Sequence, residues 1–137
     1  MKKKYDVLAL GELNVDLILT GLSSLPLPGR ELLAETCTLT MGSSTAICAA
    51  GMASLGLSTG FLGKVGNDDY GRLAAKTLEG YGVDLSHLIV DDNLQTGITV
   101  SIAAKSNKDR ALVTYLGAIN ALTVEDVSDE LLDTARH

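Results

Sequence analysis

The sequence predicts an α/β fold in which a parallel sheet flanked by helices carries a small antiparallel β appendage. Two observations predict this fold. Up to Gly82, apolar segments and helical segments follow the order strand, helix, strand, helix, which is typical of parallel sheets with crossover helices. After Gly82, β-rich segments follow one another across polar turns, which indicates antiparallel pairing. A chain of 137 residues with 46% hydrophobic residues can bury one compact core.

The strands of the first forty residues differ in pattern. Residues 5–10 are apolar and end at Gly11, which predicts a buried strand followed by a sharp turn. Residues 13–20 alternate between apolar and polar side chains, which predicts a half-buried strand. Both prolines lie in the loop 23–29, and the β-branched residues of 31–40 predict a further strand.

Two helices and a strand are predicted next. From Ser43 to Leu55 the side chains are small and apolar on nearly every side, which predicts a tightly packed helix that begins at hydroxyl residues. Residues 58–62 predict a strand. Residues 63–71 predict a glycine-rich turn that leads into a helix over 72–81.

The remaining elements are short. Apolar and β-branched residues predict three strands, at 87–90, 96–103 and 111–116. Residues 105–109 are polar and predict a hairpin loop between the last two strands. Hydroxyl residues before acidic ones predict a capped turn at 123–126 and a short helix over 128–135.

Composition excludes several classes of protein. The net charge is −6 and the basic residues cluster only in the first four positions, which argues against a nucleic-acid-binding protein. Cys37 and Cys48 have neither C-x-x-C spacing nor a nearby histidine, so we expect reduced thiols rather than a disulfide or a zinc site. No signal peptide and no membrane span of about 20 apolar residues is evident, so we expect a soluble, cytoplasmic protein.

Asn14 and Asp16 are the first candidate site residues. They lie two residues apart on the same face of the predicted strand, about 7 Å from each other, a spacing that suits the hydroxyls of a polyol. The alternative is an exposed strand face whose polar side chains meet only water. The spacing alone favours the exposed strand face.

The second candidate is the helix start Gly42-Ser43-Ser44-Thr45, where free backbone N–H groups can bind an anion or sugar oxygens. An ordinary helix cap is the alternative. The glycines of residues 63–71 fit neither G-x-G-x-x-G nor a phosphate-binding loop, so we expect a structural turn there.

These motifs, in this order, resemble the N-terminal half of the ribokinase-like, or PfkB, carbohydrate kinases. The resemblance covers nearly the whole chain. It is carried by five segments: Gly11-Glu12-Leu13-Asn14-Val15-Asp16, 42–56, Gly63-Lys64-Val65-Gly66-Asn67-Asp68-Asp69-Tyr70-Gly71, Thr96-Gly97 and 116–122.

The resemblance implies a Rossmann-like sheet flanked by helices and a small β lid that closes over a sugar or a similar alcohol. Residues 1–137 would be the N-terminal part of one such kinase domain, with lid strands at about 13–20, 31–40 and 96–116. The implied substrate-binding residues are Asn14, Asp16, Gly42, Ser43 and Thr45. The implied reaction is transfer of a phosphoryl group from ATP, with Mg²⁺, and the lid strands would form a homodimer.

Two residues depart from the family pattern. Ser43 replaces the second glycine of a pair, and Ile47 aligns with an expected asparagine, which indicates a less hydroxylated or differently shaped substrate, with Ser44 or Thr45 as a replacement hydroxyl. Arg110, on a predicted lid strand, is a partner for a substrate carboxylate or else a solvated edge residue.

The family's G-A-G-D segment, with the catalytic Asp, does not occur before His137. We therefore expect a truncated fold with no catalytic residue in this chain, no turnover by the chain alone and weak binding of ATP and Mg²⁺. A nucleoside kinase of the same fold and a catalytically silent module that dimerises through its lid remain alternatives to a kinase of sugars or sugar acids.

Overall fold

The computed structural model describes residues 3–105 and 109–137. Within these residues the strands are β1 (Val7–Leu10), β2 (Val15–Leu22), β3 (Thr36–Met41), β4 (Thr59–Leu62), β5 (Lys64–Gly66), β6 (Ile89–Asp91), β7 (Ile98–Ala104) and β8 (Arg110–Tyr115). The α-helices are α1 (Ser44–Ser54), α2 (Asp69–Gly80) and α3 (Asp129–Leu132), and short 3₁₀ helices occupy Gly117–Ala121 and Val124–Asp126.

The body of the molecule is built on parallel strand pairs. β1 pairs with β4 and β5 pairs with β6, both in parallel, which confirms the predicted parallel sheet. All four residues of β4 are buried, as expected for a strand covered on both faces. Next to β1, residues 134–137 form a further parallel bridge through Ala135 and Tyr5.

The appended sheet has four strands in the order β3-β2-β7-β8. Its two outer pairs are antiparallel, but the central pair β2 and β7 is parallel. The predicted antiparallel pairing is therefore correct for the two outer pairs and wrong for the central pair. The reason is connectivity, since a long crossover with two helices separates β2 from β7 and allows them to run in the same direction.

Several element boundaries differ from the prediction. The third strand begins at Thr36 rather than at residue 31, and the predicted turn 63–71 contains β5. The last helix is limited to α3 because residues 134–137 extend beside β1. The predicted hairpin loop 105–109 falls partly on residues 106–108, which lie outside the described residues.

The core lies between α1, α2 and the strands of the body. Its buried members are Ala9, Leu13, Val15, Met41, Ala46, Ala49, Ala50, Phe61, Val65, Ala74, Leu78 and Val83. The three alanines of α1 let the helix approach β1 and β4 closely, which explains the small-residue composition of this helix. Among the described helices, none is long and apolar enough to cross a membrane.

Asp68 joins the start of α2 to the start of β7. One carboxylate oxygen accepts a hydrogen bond from the Gly71 N–H and the other from the Thr96 N–H, both at 2.8 Å. Burial acts to raise the pKa of Asp68, but the hydrogen bonds from Thr96 and Gly71 outweigh it, so the pKa lies below its ordinary value of 3.8. Asp68 therefore stabilises the fold as a carboxylate.

We expect Asp68→Asn to lower the free energy of unfolding at neutral pH by about 1–2 kcal/mol, because an amide leaves one of the two N–H groups without an acceptor. The lowered pKa means that the contribution of Asp68 is complete above pH 3.8 and is lost as the pH falls below that value. Urea unfolding between pH 2.5 and 7 measures both effects. The control is Asp69→Asn, whose side chain is 96% exposed and should cost less than about 0.5 kcal/mol.

Candidate functional site

A cleft of about 330 Å³ lies between one face of the four-stranded sheet, the start of α1 and the first 3₁₀ helix. It is lined by Glu12, Asn14, Asp16, Ile18, Ser43, Ser44, Ile47, Thr99, Ser101, Arg110, Leu112, Thr114, Leu116 and Ile119. The structure therefore brings Asn14, Asp16 and Ser43 together at one cleft.

Strand register explains which side chains reach the cleft. Asp16 pairs with Thr99, and Thr99 pairs with Thr114, so these three residues share one face of the sheet. The hydroxyls of Thr99 and Thr114 are hydrogen-bonded at 3.0 Å. The cleft thus has a polar row that begins at Asp16 and continues across two further strands.

Asn14 and Asp16 turn toward each other rather than projecting separately. The Asn14 Nδ2 donates to Asp16 Oδ1 at 3.3 Å and to the Val15 carbonyl at 3.2 Å. Asn14 is only 5% exposed, whereas Asp16 is half-buried. Asn14 therefore holds one oxygen of the Asp16 carboxylate at the cleft through this hydrogen bond.

Gly42 is required by the position of Asp16. A Cβ atom at residue 42 would overlap the Asp16 carboxylate, and the Gly42 N–H donates to the Asn14 carbonyl at 2.8 Å. The glycine therefore leaves room for the carboxylate at the cleft.

Ser43 occupies a backbone conformation that favours glycine. Its φ is 80° and its ψ is 127°, in a region that costs a residue with a Cβ about 1–3 kcal/mol. The Ser43 hydroxyl donates to the Glu12 carbonyl and accepts from the Ala46 N–H at 3.3 Å, which caps α1. Serine at this position therefore carries backbone strain that glycine would avoid, and its hydroxyl makes two hydrogen bonds that glycine cannot make.

We expect Ser43→Gly to be more stable than Ser43→Ala by about 1–2 kcal/mol. Both variants lose the two hydrogen bonds of the hydroxyl, but only glycine also relieves the strain of the positive φ. Thermal and urea unfolding of the two variants measure the difference. Equal stabilities would show that the conformation at residue 43 is not strained.

The residues singled out at the start of α1 differ in whether they line the cleft. Thr45 does not line the cleft, because its side chain lies against Gly11 at the end of β1. Ser44 does line the cleft and is exposed, so of the two hydroxyls considered as replacements it is the one at the cleft. Ile47 also lines the cleft, with 58% of its surface exposed.

Sequence reasoning missed most of the cleft residues on β7 and β8. Thr99, Ser101, Thr114 and Leu112 reach the cleft only through their register with β2, and no motif marks them. Their alternation along β7 and β8 was visible, but it does not say which face turns toward Asp16. Glu12, in the first motif, was also not predicted as a cleft residue.

The charge of the cleft is uneven. Arg110 is the one positively charged side chain among the described residues that line it, and it lies at the start of β8. Asp16 and Glu12 are its negative residues. The cleft can therefore accept hydrogen bonds from hydroxyls near Asp16 and donate to an anionic group near Arg110.

A model of the pfkB family carbohydrate kinases matches residues 4–137. The chain belongs to this family. It is 31% identical over 137 residues to the 5-dehydro-2-deoxygluconokinase of Geobacillus kaustophilus (strain HTA426), an alignment that covers 98% of this chain and 39% of that protein. The chain thus spans about two fifths of the length of this relative.

Solved structures confirm the ribokinase-like α/β fold. The ribokinase of Arabidopsis thaliana complexed with ribose and ATP is 29% identical, with a TM-score of 0.76 over 86% of this chain and 37% of that one. A PfkB protein from Polaromonas sp. JS666 is 26% identical, with a TM-score of 0.80 over 97% of this chain and 43% of that one.

The described residues include no cluster of three or more metal-ligating side chains. Over residues 3–105 and 109–137, no three His, Cys, Asp or Glu side chains are placed to hold an ion together.

Proposed function

We propose that this chain forms the acceptor-binding part of a carbohydrate kinase whose acceptor is a sugar acid. The observation that carries the proposal is the pairing, in one cleft, of the oriented Asp16 carboxylate with a single cationic residue, Arg110. Asp16 would accept hydrogen bonds from the acceptor's hydroxyls. Arg110 would bind its carboxylate through the planar guanidinium, which matches a carboxylate with two parallel hydrogen bonds.

The spacing of the two groups suits a linear acid. Thr114 lies in the same row across the sheet as Thr99 and Asp16. Arg110 precedes Thr114 by four residues, so its Cα lies about 14 Å along β8 from that row. A long arginine side chain spans part of this distance and the acceptor the rest.

The similarity to a 5-dehydro-2-deoxygluconokinase also supports an acidic acceptor, since its name denotes a kinase of a sugar acid. A nucleoside acceptor has less support, because none of the described cleft residues is aromatic and able to stack on a base.

The proposal is tested by binding rather than turnover. D-gluconate and D-glucitol are linear six-carbon compounds that differ in the carboxylate. We expect the chain to bind D-gluconate about tenfold more tightly, as measured by ¹⁵N NMR titration, and Arg110→Gln to remove that preference. Arg30→Gln removes the same charge outside the cleft and should leave the preference unchanged. Wild-type affinity for gluconate in the Arg110→Gln variant would overturn the proposal.

We also propose that the four-stranded sheet forms a homodimer through the face opposite the cleft. One end of this face, with Val15, Met41 and Ile98, packs against the core. The rest of the face is also apolar and consists of Leu17, Leu19, Cys37, Leu39, Val100, Ile102, Ala111, Val113 and Tyr115. Leu39, Val113 and Tyr115 are 41%, 63% and 52% exposed, an apolar patch that a second copy would cover.

Sedimentation velocity tests the dimer. We expect a concentration-dependent dimer that Val113→Lys converts to a monomer, since the substitution places a charge in the apolar face. Thr114→Lys, one residue away on the cleft face, should leave the dimer intact. A monomer at every concentration would contradict the proposal.

A further inference from the structure

One wall of the cleft is contributed by a 3₁₀ helix rather than by the sheet or α1. Ile119 lines the cleft and belongs to the first 3₁₀ helix, Gly117–Ala121. A Cβ atom at Gly97 would overlap the Ile119 side chain, so this side chain lies directly against the backbone of residue 97. The Gly97 carbonyl in turn accepts a hydrogen bond from the Val15 N–H at 3.2 Å. Ile119 therefore lies beside the start of the β2 and β7 pair, close to Asp16.

Lys64 of β5 holds the C-terminal end of this helix, although it does not line the cleft. Its ammonium donates to the Ala121 carbonyl at 2.9 Å and to both carboxylate oxygens of Asp126, at 3.0 and 3.1 Å. Asp126 also accepts from the Thr123 N–H at 2.8 Å. Among the described residues, no other side chain from outside 117–126 hydrogen-bonds to this segment.

The contact between Lys64 and this segment is largely removed from water. The side chains of Lys64 and Asp126 are 13% and 20% exposed. The three oxygen atoms match the three N–H donors of the ammonium, so the group is fully hydrogen-bonded. Loss of the ammonium would leave a poorly hydrated carboxylate without its charged partner, which costs more than the loss of an exposed ion pair.

The other end of the helix is held by backbone. The Ala118 N–H donates to the Gln95 carbonyl at 2.8 Å, and Ala118 is fully buried. Ile119 thus lies between a backbone anchor on one side and the Lys64 ammonium on the other.

We infer that Lys64 is a positioning residue for the acceptor and acts through Ile119. The inference rests on the proposed function in that the cleft binds an acceptor, but it does not require the acceptor to be an acid. With both ends of the helix held, Ile119 stays against Gly97, covers carbon atoms of the ligand and limits the access of water to hydrogen bonds at Asp16. Without the ammonium, the end at Ala121 detaches and Ile119 loses its fixed place in the cleft.

Replacing the ammonium tests this role. Lys64→Met keeps a long side chain, and we expect it to bind D-gluconate and D-glucitol each about tenfold more weakly than the wild type in ¹⁵N NMR titrations, because Ile119 covers carbon atoms that both ligands share. Lys64→Arg keeps a cation that can bind the carboxylate and should stay within about threefold of wild-type affinity. Lys4→Met breaks the ion pair with Asp84, which lies outside the cleft, and should leave both affinities unchanged.

A second substitution shows whether Lys64 acts through the wall. Ile119→Ala should also weaken binding of both ligands about tenfold. Combining it with Lys64→Met should cause no further loss of affinity, since the side chain that the ammonium positions is already gone. Losses that add would overturn the inference, because the lysine would then affect binding by another route.

The two ligands separate the inference from the proposed function. Wild-type affinity for both ligands in Lys64→Met overturns the role of Lys64 and leaves the sugar-acid proposal standing. A loss confined to D-gluconate also overturns that role, because the lysine would then act through its charge on the carboxylate. Equal affinity of the wild type for the two ligands, with both weakened by Lys64→Met, overturns the sugar-acid proposal and leaves the role of Lys64 standing. If neither ligand binds, both are overturned.

Discussion

Alanine at position 71 is expected to disrupt cooperative folding, whereas alanine at position 80 of the same helix is expected to stabilise it. A Cβ atom at residue 71 would overlap the carbonyl oxygen of Gly66 and lie 2.8 Å from Thr96 Oγ1. Nothing lies within 4 Å of a Cβ atom at Gly80. We expect Gly71→Ala to cost about 3 kcal/mol or more, and Gly80→Ala to gain up to about 1 kcal/mol.

The size of the effect follows from the rigidity of the neighbours of Gly71. The Gly66 carbonyl belongs to β5, and the Thr96 hydroxyl accepts from the Gly66 N–H at 3.0 Å, so neither can move without breaking the junction of β5, α2 and β7. Urea unfolding followed by circular dichroism compares both variants with the wild type. An unchanged midpoint for Gly71→Ala would show that this junction yields easily.

Local patterns were sufficient to predict the body and one edge of the site. The alternation over 13–20 placed Asp16 and Ile18 on one face of a strand, and both line the cleft. The hydroxyls before α1 predicted its start, and Ser43 caps it. These features depend on residues within a few positions of one another, so their signals are contained in short segments.

Features that depend on distant pairing could not be predicted in this way. Thr99 lies beside Asp16 only because β2 and β7 pair in parallel with more than eighty residues between them. A shift of this register by one residue would turn Thr99 and Ser101 to the opposite face. The position of Thr45 against Gly11 likewise depends on how α1 packs on the end of β1, which helix periodicity does not specify.

The second large effect is expected at Gly42, where alanine should strongly weaken ligand binding and leave the fold intact. The atoms that a Cβ would overlap belong to the Asp16 side chain, which can rotate away, unlike the backbone beside Gly71. Rotation removes the carboxylate from the cleft. We expect Gly42→Ala and Asp16→Ala each to weaken binding of D-gluconate by about 10–100-fold, with little change in melting temperature.

The double variant decides how Gly42 acts. If the glycine acts only by making room for Asp16, then adding Gly42→Ala to Asp16→Ala should have no further effect on the dissociation constant, since the obstructed carboxylate is already gone. Gly51→Ala is the control, because it changes a glycine of α1 with nothing within 4 Å and should leave binding unchanged. If the two losses add instead, the ligand contacts the backbone at residue 42 directly, and the start of α1 would be a second point of contact beside the Asp16 carboxylate.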